Sequence, residues 1–378
     1  MSTQLILEGM MLKCTCTEAG TAKANEEPLC TQPDEIGLVP IEQDPLIGET
    51  PQGTLQSWLT PNSLFYVRNH YSFPTPEETN SWSLVIDGHV STQLELTLDD
   101  FRQFPKQTLP ITMECAGNNR SDLQPRVPGN PFQNGAISTA IWGGVPLNEI
   151  LAKVGIKSEA VEVLFEGLDS GSPEPGVDTE PYLRSLSLDM AGNPNVLLAY
   201  EMNGEPLSLE HGYPLRLIVP GWYGMASVKW LRRMTLITEK FHGFFQGERY
   251  IIEEKDGTSV PVTDIQVKSL ISWPQPGMAL SRDSHNISGL AWSGSGHINR
   301  VQVSHDGGET WNDAQLVGPR YEYAWQQWNY DWTPDSDGHH IIVARAEDEK
   351  GNVQPMDTHW NRLGYVINGV KPVCVNVS

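Results

Sequence analysis

The chain has 378 residues, with 25 basic against 47 acidic side chains and a net charge of −22. So acidic a surface repels nucleic-acid phosphates and anionic membranes, which excludes both as partners. A hydrophobic content of 39% excludes a disordered chain. The length allows two or three domains, and 34 glycines with 28 prolines favour short strands and ordered loops over long helices.

Residues 1–38 show neither helical nor strand period and read as a flexible N-terminal arm. The apolar stretch at 5–7 lacks the basic flank and the length of a secretion signal. No run approaches the length of a membrane span. The expected compartment is therefore the cytoplasm, or the periplasm if a signal has been trimmed. Of the five cysteines, Cys14, Cys16, Cys30, Cys115 and Cys374, no two form a C-x-x-C pair, which argues against a structural zinc site or a thioredoxin-type site. Their odd number argues against a disulfide framework and for a reducing compartment.

From residue 39 the pattern tightens. SLVIDGHV (83–90) reads as a strand ending in a turn, and TLDDFRQFP (97–105) as a short helix capped by Thr97 with Asp100 at the capping-box position. VPLNEILAKVG (145–155) is the clearest helix. Leu147, Ile150, Leu151 and Val154 form one stripe, and Gly155 closes it. Strands are expected at 161–165, 195–200, 214–221 and 228–238, with a turn at Asn203-Gly204. This is a mixed α+β region, heavy in strand and loop. Beyond about 262 almost nothing reads as helix. Hairpins are expected over 297–314, turning at Asp306-Gly307-Gly308, and over 339–353, turning at 349–352. Regular strand spacing implies a β-sandwich of immunoglobulin-like size. The expected organisation is an arm at 1–38, a first domain at 39–262 and a sandwich at 263–378.

Four segments carry residues suited to chemistry. In ITMECAGNNR (111–120) an apolar strand ends at Glu114-Cys115, followed by a glycine turn and Arg120. That environment suits a thiolate ligand or nucleophile, although Cys115 taken alone reads more simply as a small buried hydrophobe. In FYVRNH (65–70), extended backbone would put Arg68 and His70 on one face and Asn69 on the other. In EHGYPLRLIVPGWYGMASVKWL (210–231), His211, Arg216 and Lys229 surround glycines that allow close approach to a ligand. Such donors suit phosphate and heteroatom-rich rings, and they also serve as ordinary strand-face charges. In ERYI (248–251), Tyr250 needs a hydrogen-bond partner if buried, either structural or an oxyanion.

With these segments in this order, the chain resembles the sulfite oxidase family of molybdenum-cofactor oxidoreductases from about residue 60 onward. E-C-A-G-N followed by Arg120, and H-G-Y-P-L-R followed by S-V-K-W-L, are its most specific signatures. G-L-D at 167–169, L-L-A-Y-E-M-N-G at 197–204 and G-A-I-S-T-A at 135–140 add to it. The resemblance implies an α+β molybdopterin domain followed by an all-β, immunoglobulin-like dimerisation domain, hence a homodimer. It implies Cys115 as the protein's ligand to molybdenum. Tyr66, Val67, Arg68, Asn69, His70, Asp169, His211, Arg216, Ser227, Val228 and Lys229 are implied as cofactor contacts. Arg68, Arg120, Tyr250 and Arg362 are implied around the substrate oxyanion. The implied reaction is oxidation of sulfite to sulfate by oxo transfer. With no haem domain in the chain, the electrons pass to an external acceptor: a cytochrome, another carrier or oxygen. Another sulfur compound, as in sulfane dehydrogenases, is the nearest alternative substrate and nitrate a weaker one. A non-catalytic assembly module is the alternative outside enzymes. Three departures bear on the pocket: Asn119 stands where animal members have a second arginine, Phe132 stands for a tryptophan, and Arg362 in WNRLG is shifted by one position.

Overall fold

A computed structural model describes residues 37–253 and 257–378 of the chain. The arm expected at 1–38, with Cys14, Cys16 and Cys30, lies almost wholly outside them. The described residues are strand-rich. Their α-helices are short, the longest being Leu147–Val154. It buries the expected stripe of Leu147, Ile150, Leu151 and Val154 and ends at Gly155. The helix Leu98–Phe101 carries the expected capping box: the Asp100 N–H donates to the Thr97 hydroxyl, and the Thr97 N–H donates to Asp100 Oδ2 at 2.8 Å.

Two five-stranded sheets build the first part of the chain. One runs Glu205–Pro206, Leu197–Met202, Ile137–Pro146, Gln107–Glu114, with Arg216–Ile218 also paired to Leu197–Met202. The other runs Leu94–Leu96, Leu84–Gly88, Leu231–Ile237, Glu162–Gly171, Glu180–Ser187. Leu84–Gly88 and Leu231–Ile237 are parallel, and the other neighbours in this sheet are antiparallel. The expected strand at 214–221 shrinks to Arg216–Ile218, and the chain turns at Gly221, whose φ is 78°.

From Lys268 onward a four-stranded and a five-stranded sheet face each other. Ile271, Ile287, Trp328 and Trp332 of the first share one core with Val301, Val303, Ile342 and Val375 of the second. The hairpin expected over 297–314 forms in short version, with Ile298–Ser304 paired to Asn312–Asp313. The one expected over 339–353 keeps its turn but has only a short return arm. Gly338–Asp348 is a long strand between Ile298–Ser304 and Val373–Val377, and beyond the turn Val353 bridges back to Glu347 and the Gln354 N–H donates to the Ala346 carbonyl at 2.9 Å. The Gln354 side chain ties this arm to the facing sheet, its Oε1 accepting from the backbone of Ser269 (2.8 Å) and Ala346 (3.2 Å). Cys374 is disulfide-bonded. That corrects the reading of the cysteines as unpaired thiols and removes the argument for a reducing compartment. Among the described residues no helix is long and apolar enough to cross a membrane.

The two parts share more than an edge. Leu270, Leu290, Trp292, Trp325 and Tyr365 belong to the same apolar core as Leu84, Val163 and Leu217. Within that contact lies a buried ion pair, Lys268 with Glu114 at 2.9 Å, the side chains 7% and 2% exposed. Glu114 also accepts from Asn118 Nδ2 and from Trp292 Nε1, both at 2.9 Å. Removing one partner of such a pair leaves an uncompensated buried charge. Lys268→Met should therefore destabilise the fold by about 3–5 kcal/mol in denaturant unfolding, with part recovered in the double variant carrying Glu114→Gln. A single-variant loss below about 1 kcal/mol would contradict the clamp.

Candidate active site

Cys115 follows directly on the strand Gln107–Glu114, whose last residue pairs with Ile137. Its N–H donates to the Ala136 carbonyl at 2.9 Å, so the thiol stands at the first position past the ladder. The chain then folds back: Asn118 N–H donates to the Cys115 carbonyl (2.9 Å) and Arg120 N–H to the Gly117 carbonyl (3.1 Å). Gly117 is required here, because a Cβ would lie 2.4 Å from Arg120 Nη2. Arg120 is held by the carbonyls of Gly364 (3.1 Å) and Asn130 (3.0 Å), with its guanidinium over the Tyr365 ring at 5.1 Å. Asn119 turns away from the thiol, to Lys268, Asp122 and Asn134. Burial pushes the Cys115 thiol up, while Arg68 and Arg120 pull it down.

Cys115 borders a cavity in the first part of the chain. Tyr66, Val67, Arg68, Asn69, His70, Asp169, His211, Arg216, Ser227, Lys229 and Tyr250 all line it. The segment at 66–70 is not a strand; Val67 makes only an isolated bridge with Gly48. Alternation therefore does not apply, and Asn69 faces the cavity along with Arg68 and His70. Asn69 Oδ1 accepts from Lys229 Nζ, and its carbonyl accepts from Arg68. Val228 is the one expected contact that does not line the cavity: its side chain is fully buried in the apolar core, and its carbonyl accepts from Leu217. Gly224 lets the wall close in, since a Cβ there would come 2.6 Å from the Tyr66 hydroxyl.

The cavity wall is short of negative charge. Burial, then Arg216, holds the Lys229 ammonium well below its ordinary range, and burial pushes Asp169 up, so burial outweighs the support that each of the two opposite charges gives the other. Burial takes Arg216 down to about 10 and His211 down to about 4. Arg216 donates to the carbonyls of His211 (2.9 Å) and Ser227 (3.1 Å), yet its Nε has no partner among the described residues. An anionic group rich in acceptors would supply what these donors lack.

Cys115 also borders a second cavity, lined by Arg68, Arg120, Arg249, Tyr250, Arg362 and Tyr365. Tyr250 is buried, its hydroxyl 2.8 Å from His70 Nε2. Arg362 reaches this cavity but is 60% exposed and paired with Glu253 at 2.6 Å. Arg249 and Tyr365 went unread in the sequence. The only signal for Arg249 was its place beside Tyr250; Tyr365 carried none. Among the described residues no three His, Cys, Asp or Glu side chains converge; the Cys115 thiol is the soft donor that both cavities share, and the donor-rich wall fits an anionic cofactor.

Comparison with known proteins agrees with that fit. Residues 70–245 match the oxidoreductase molybdopterin binding domain, and residues 259–377 match the Mo-co oxidoreductase dimerisation domain. The chain is 37% identical to sulfite oxidase of Gallus gallus over 88% of this chain and 80% of that protein. It is 34% identical to sulfite oxidase of Arabidopsis thaliana over 91% and 94%. The chain belongs to the sulfite oxidase family of molybdenum-cofactor oxidoreductases. Mitochondrial sulfite oxidase of Rattus norvegicus is 36% identical over 89% of this chain, which spans 65% of that protein, just under two thirds. Among solved structures, the sulfane dehydrogenase SoxCD from Paracoccus pantotrophus superposes with a TM-score of 0.77 at 30% identity, covering 89% of this chain and 88% of that one.

The charge deficit of the first cavity predicts how this family member holds its cofactor. Arg216→Met should lower molybdenum content in the purified protein by about tenfold or more, as expected for loss of a buried charge-assisted donor. Elemental analysis beside a circular dichroism spectrum checks this. Full molybdenum content in a folded variant would contradict it.

Proposed function

We propose that the chain oxidises sulfite to sulfate at a molybdopterin centre ligated by Cys115, passing two electrons to an external acceptor. The balance is sulfite plus water giving sulfate, two protons and two electrons. The observation that carries this reading is the position of Cys115 on the border of two cavities, one cation-walled and anion-deficient, the other lined by four arginines and two tyrosines. In this reading Arg216, Lys229 and His211 hold the anionic end of the cofactor, and the 66–70 segment with Asp169 and Ser227 borders the rest. When bound, the cofactor supplies a two-electron metal couple whose soft sulfur ligands spread the charge.

The chain's own residues bind and orient the substrate. Arg68, Arg120 and Arg362 offer planar forks to an oxyanion. Burial keeps the Tyr250 hydroxyl protonated, since its pKa stands well above the ordinary tyrosine range. Burial, followed by Arg68, Lys229, Arg184 and Arg249, keeps His70 neutral. In the Nε2–H tautomer, His70 donates to the Tyr250 oxygen and leaves the hydroxyl proton free for the oxyanion.

The wider organisation we propose is a catalytic domain at 39–262 and an immunoglobulin-like sandwich at 263–378, joined as a homodimer through the latter. The two facing sheets and the match to a dimerisation domain support it. A second reading, a sulfane-type sulfur substrate on the same cofactor, is favoured by the likeness to SoxCD.

Sulfite-dependent reduction of ferricyanide by molybdenum-loaded protein tests the reaction, and Cys115→Ser tests the ligand. The variant should lose activity by about a thousandfold or more while the fold persists. Wild-type turnover in that variant would remove Cys115 from the mechanism. Loaded protein inert towards sulfite would move the substrate to another sulfur compound.

A further inference from the structure

Arg249 closes the single π-helical turn Phe244–Arg249 and immediately precedes Tyr250. Such turns recur at functional sites, because the extra residue re-aims the side chains that follow. Arg249 lines two cavities at once: the arginine-lined one beside Cys115, and a neighbouring one bordered by Arg68, His70, Pro173 and Tyr365. It therefore forms part of the partition between them. The other arginines of the pocket also hold protein partners: Arg120 two carbonyls, Arg68 the Asn69 carbonyl, and Arg362 the Glu253 carboxylate at 2.6 Å.

Arg249 has a looser partner. Its Nη2 meets Glu174 at 3.3 Å, with the side chains 38% and 43% exposed. An exposed single contact of this length holds weakly. Its guanidinium lies 5.6 Å from the centre of the Phe244 ring, a flat surface over which it can move without losing contact. The backbone that carries Glu174 is ordered: the Ser172 hydroxyl lies 2.8 Å from the Glu174 main-chain carbonyl and 2.7 Å from the Val177 carbonyl, closing a tight turn. An ordered turn thus presents a carboxylate to a weakly held arginine at the edge of an anion pocket.

We propose that Arg249 is a substrate-binding arginine that exchanges the Glu174 carboxylate for the incoming oxyanion, so that Glu174 is a built-in competitor setting the apparent affinity. The proposal rests on the oxyanion reading of the pocket. It makes the two halves of the ion pair opposite in effect, which a merely structural pair is not. Arg249→Gln should raise the KM for sulfite about ten- to hundredfold with kcat little changed, the loss expected for a hydrogen-bonded charge. Glu174→Gln should lower KM about two- to fivefold, the release of a weak exposed pair.

The experiment compares molybdenum-loaded wild type, Arg249→Gln and Glu174→Gln by sulfite kinetics and, independently of turnover, by calorimetric titration with sulfate. Opposite shifts of KM and of the sulfate dissociation constant in the two variants support the exchange. Opposite shifts in sulfate binding by a protein inert towards sulfite support it too, while removing the sulfite reading. Shifts in the same direction, or unchanged values in Arg249→Gln with sulfite turnover intact, overturn the exchange alone. A wild type that neither binds sulfate nor oxidises sulfite overturns both.

Discussion

The buried carboxylate of Glu114 is the constraint on which the site depends. It is the residue before Cys115, and it sits almost without solvent between the two parts of the chain. A lone carboxylate there would be untenable. Lys268 and Trp292 reach it from the C-terminal sheets and Asn118 from its own turn. The Asn118 side-chain carbonyl in turn accepts from the Ala136 N–H at 3.1 Å, and Lys268 also donates to Asn119 at 2.7 Å. One network therefore sets the orientation of the turn that carries the thiol, and it does so only when the second part of the chain is docked. The connection between the strands Gly338–Asp348 and Val373–Val377 contributes Arg362 and Tyr365 to the pocket.

A second constraint is the contrast between surface and interior. The chain as a whole is strongly acidic, yet the walls around Cys115 gather Arg68, Arg120, Arg216, Lys229 and Arg249. Buried cations without matching anions are costly, and Lys229 and Arg216 register it as lowered pKa values. A fold keeps such a deficit where a ligand relieves it. The same reasoning separates the two cavities. One takes an acceptor-rich group against fixed donors. The other keeps its arginines occupied by carbonyls and surface carboxylates.

Much of this was legible before any coordinates. The capping box at Thr97 and Asp100, the helix Leu147–Val154 and the turn at Asn203-Gly204 obey local rules of spacing and backbone sterics, and they form where expected. Of the residues carried over from the family pattern, all but Val228 border one of the two cavities beside Cys115. The expectations that changed depended on distant neighbours. The 66–70 segment lost its alternation because only Gly48 pairs with it. The return arm of the 339–353 hairpin stays short, pairing at Val353 and Gln354, where the Gln354 side chain accepts from Ser269 of the facing sheet. The argument from an odd cysteine count gave way to a disulfide at Cys374.

By itself, then, the sequence determined the acidic surface, the local elements and the set of chemically competent side chains, because composition, capping and motif spacing act over a few residues. Tertiary structure alone decided which of them meet. Glu114 and Lys268 stand 154 positions apart, and Arg249 and Glu174 stand 75 apart. No local periodicity records such a pairing, since it arises only when sheets dock and buried charges must find partners. Arg249 entered the pocket by that route, and Val228 left it.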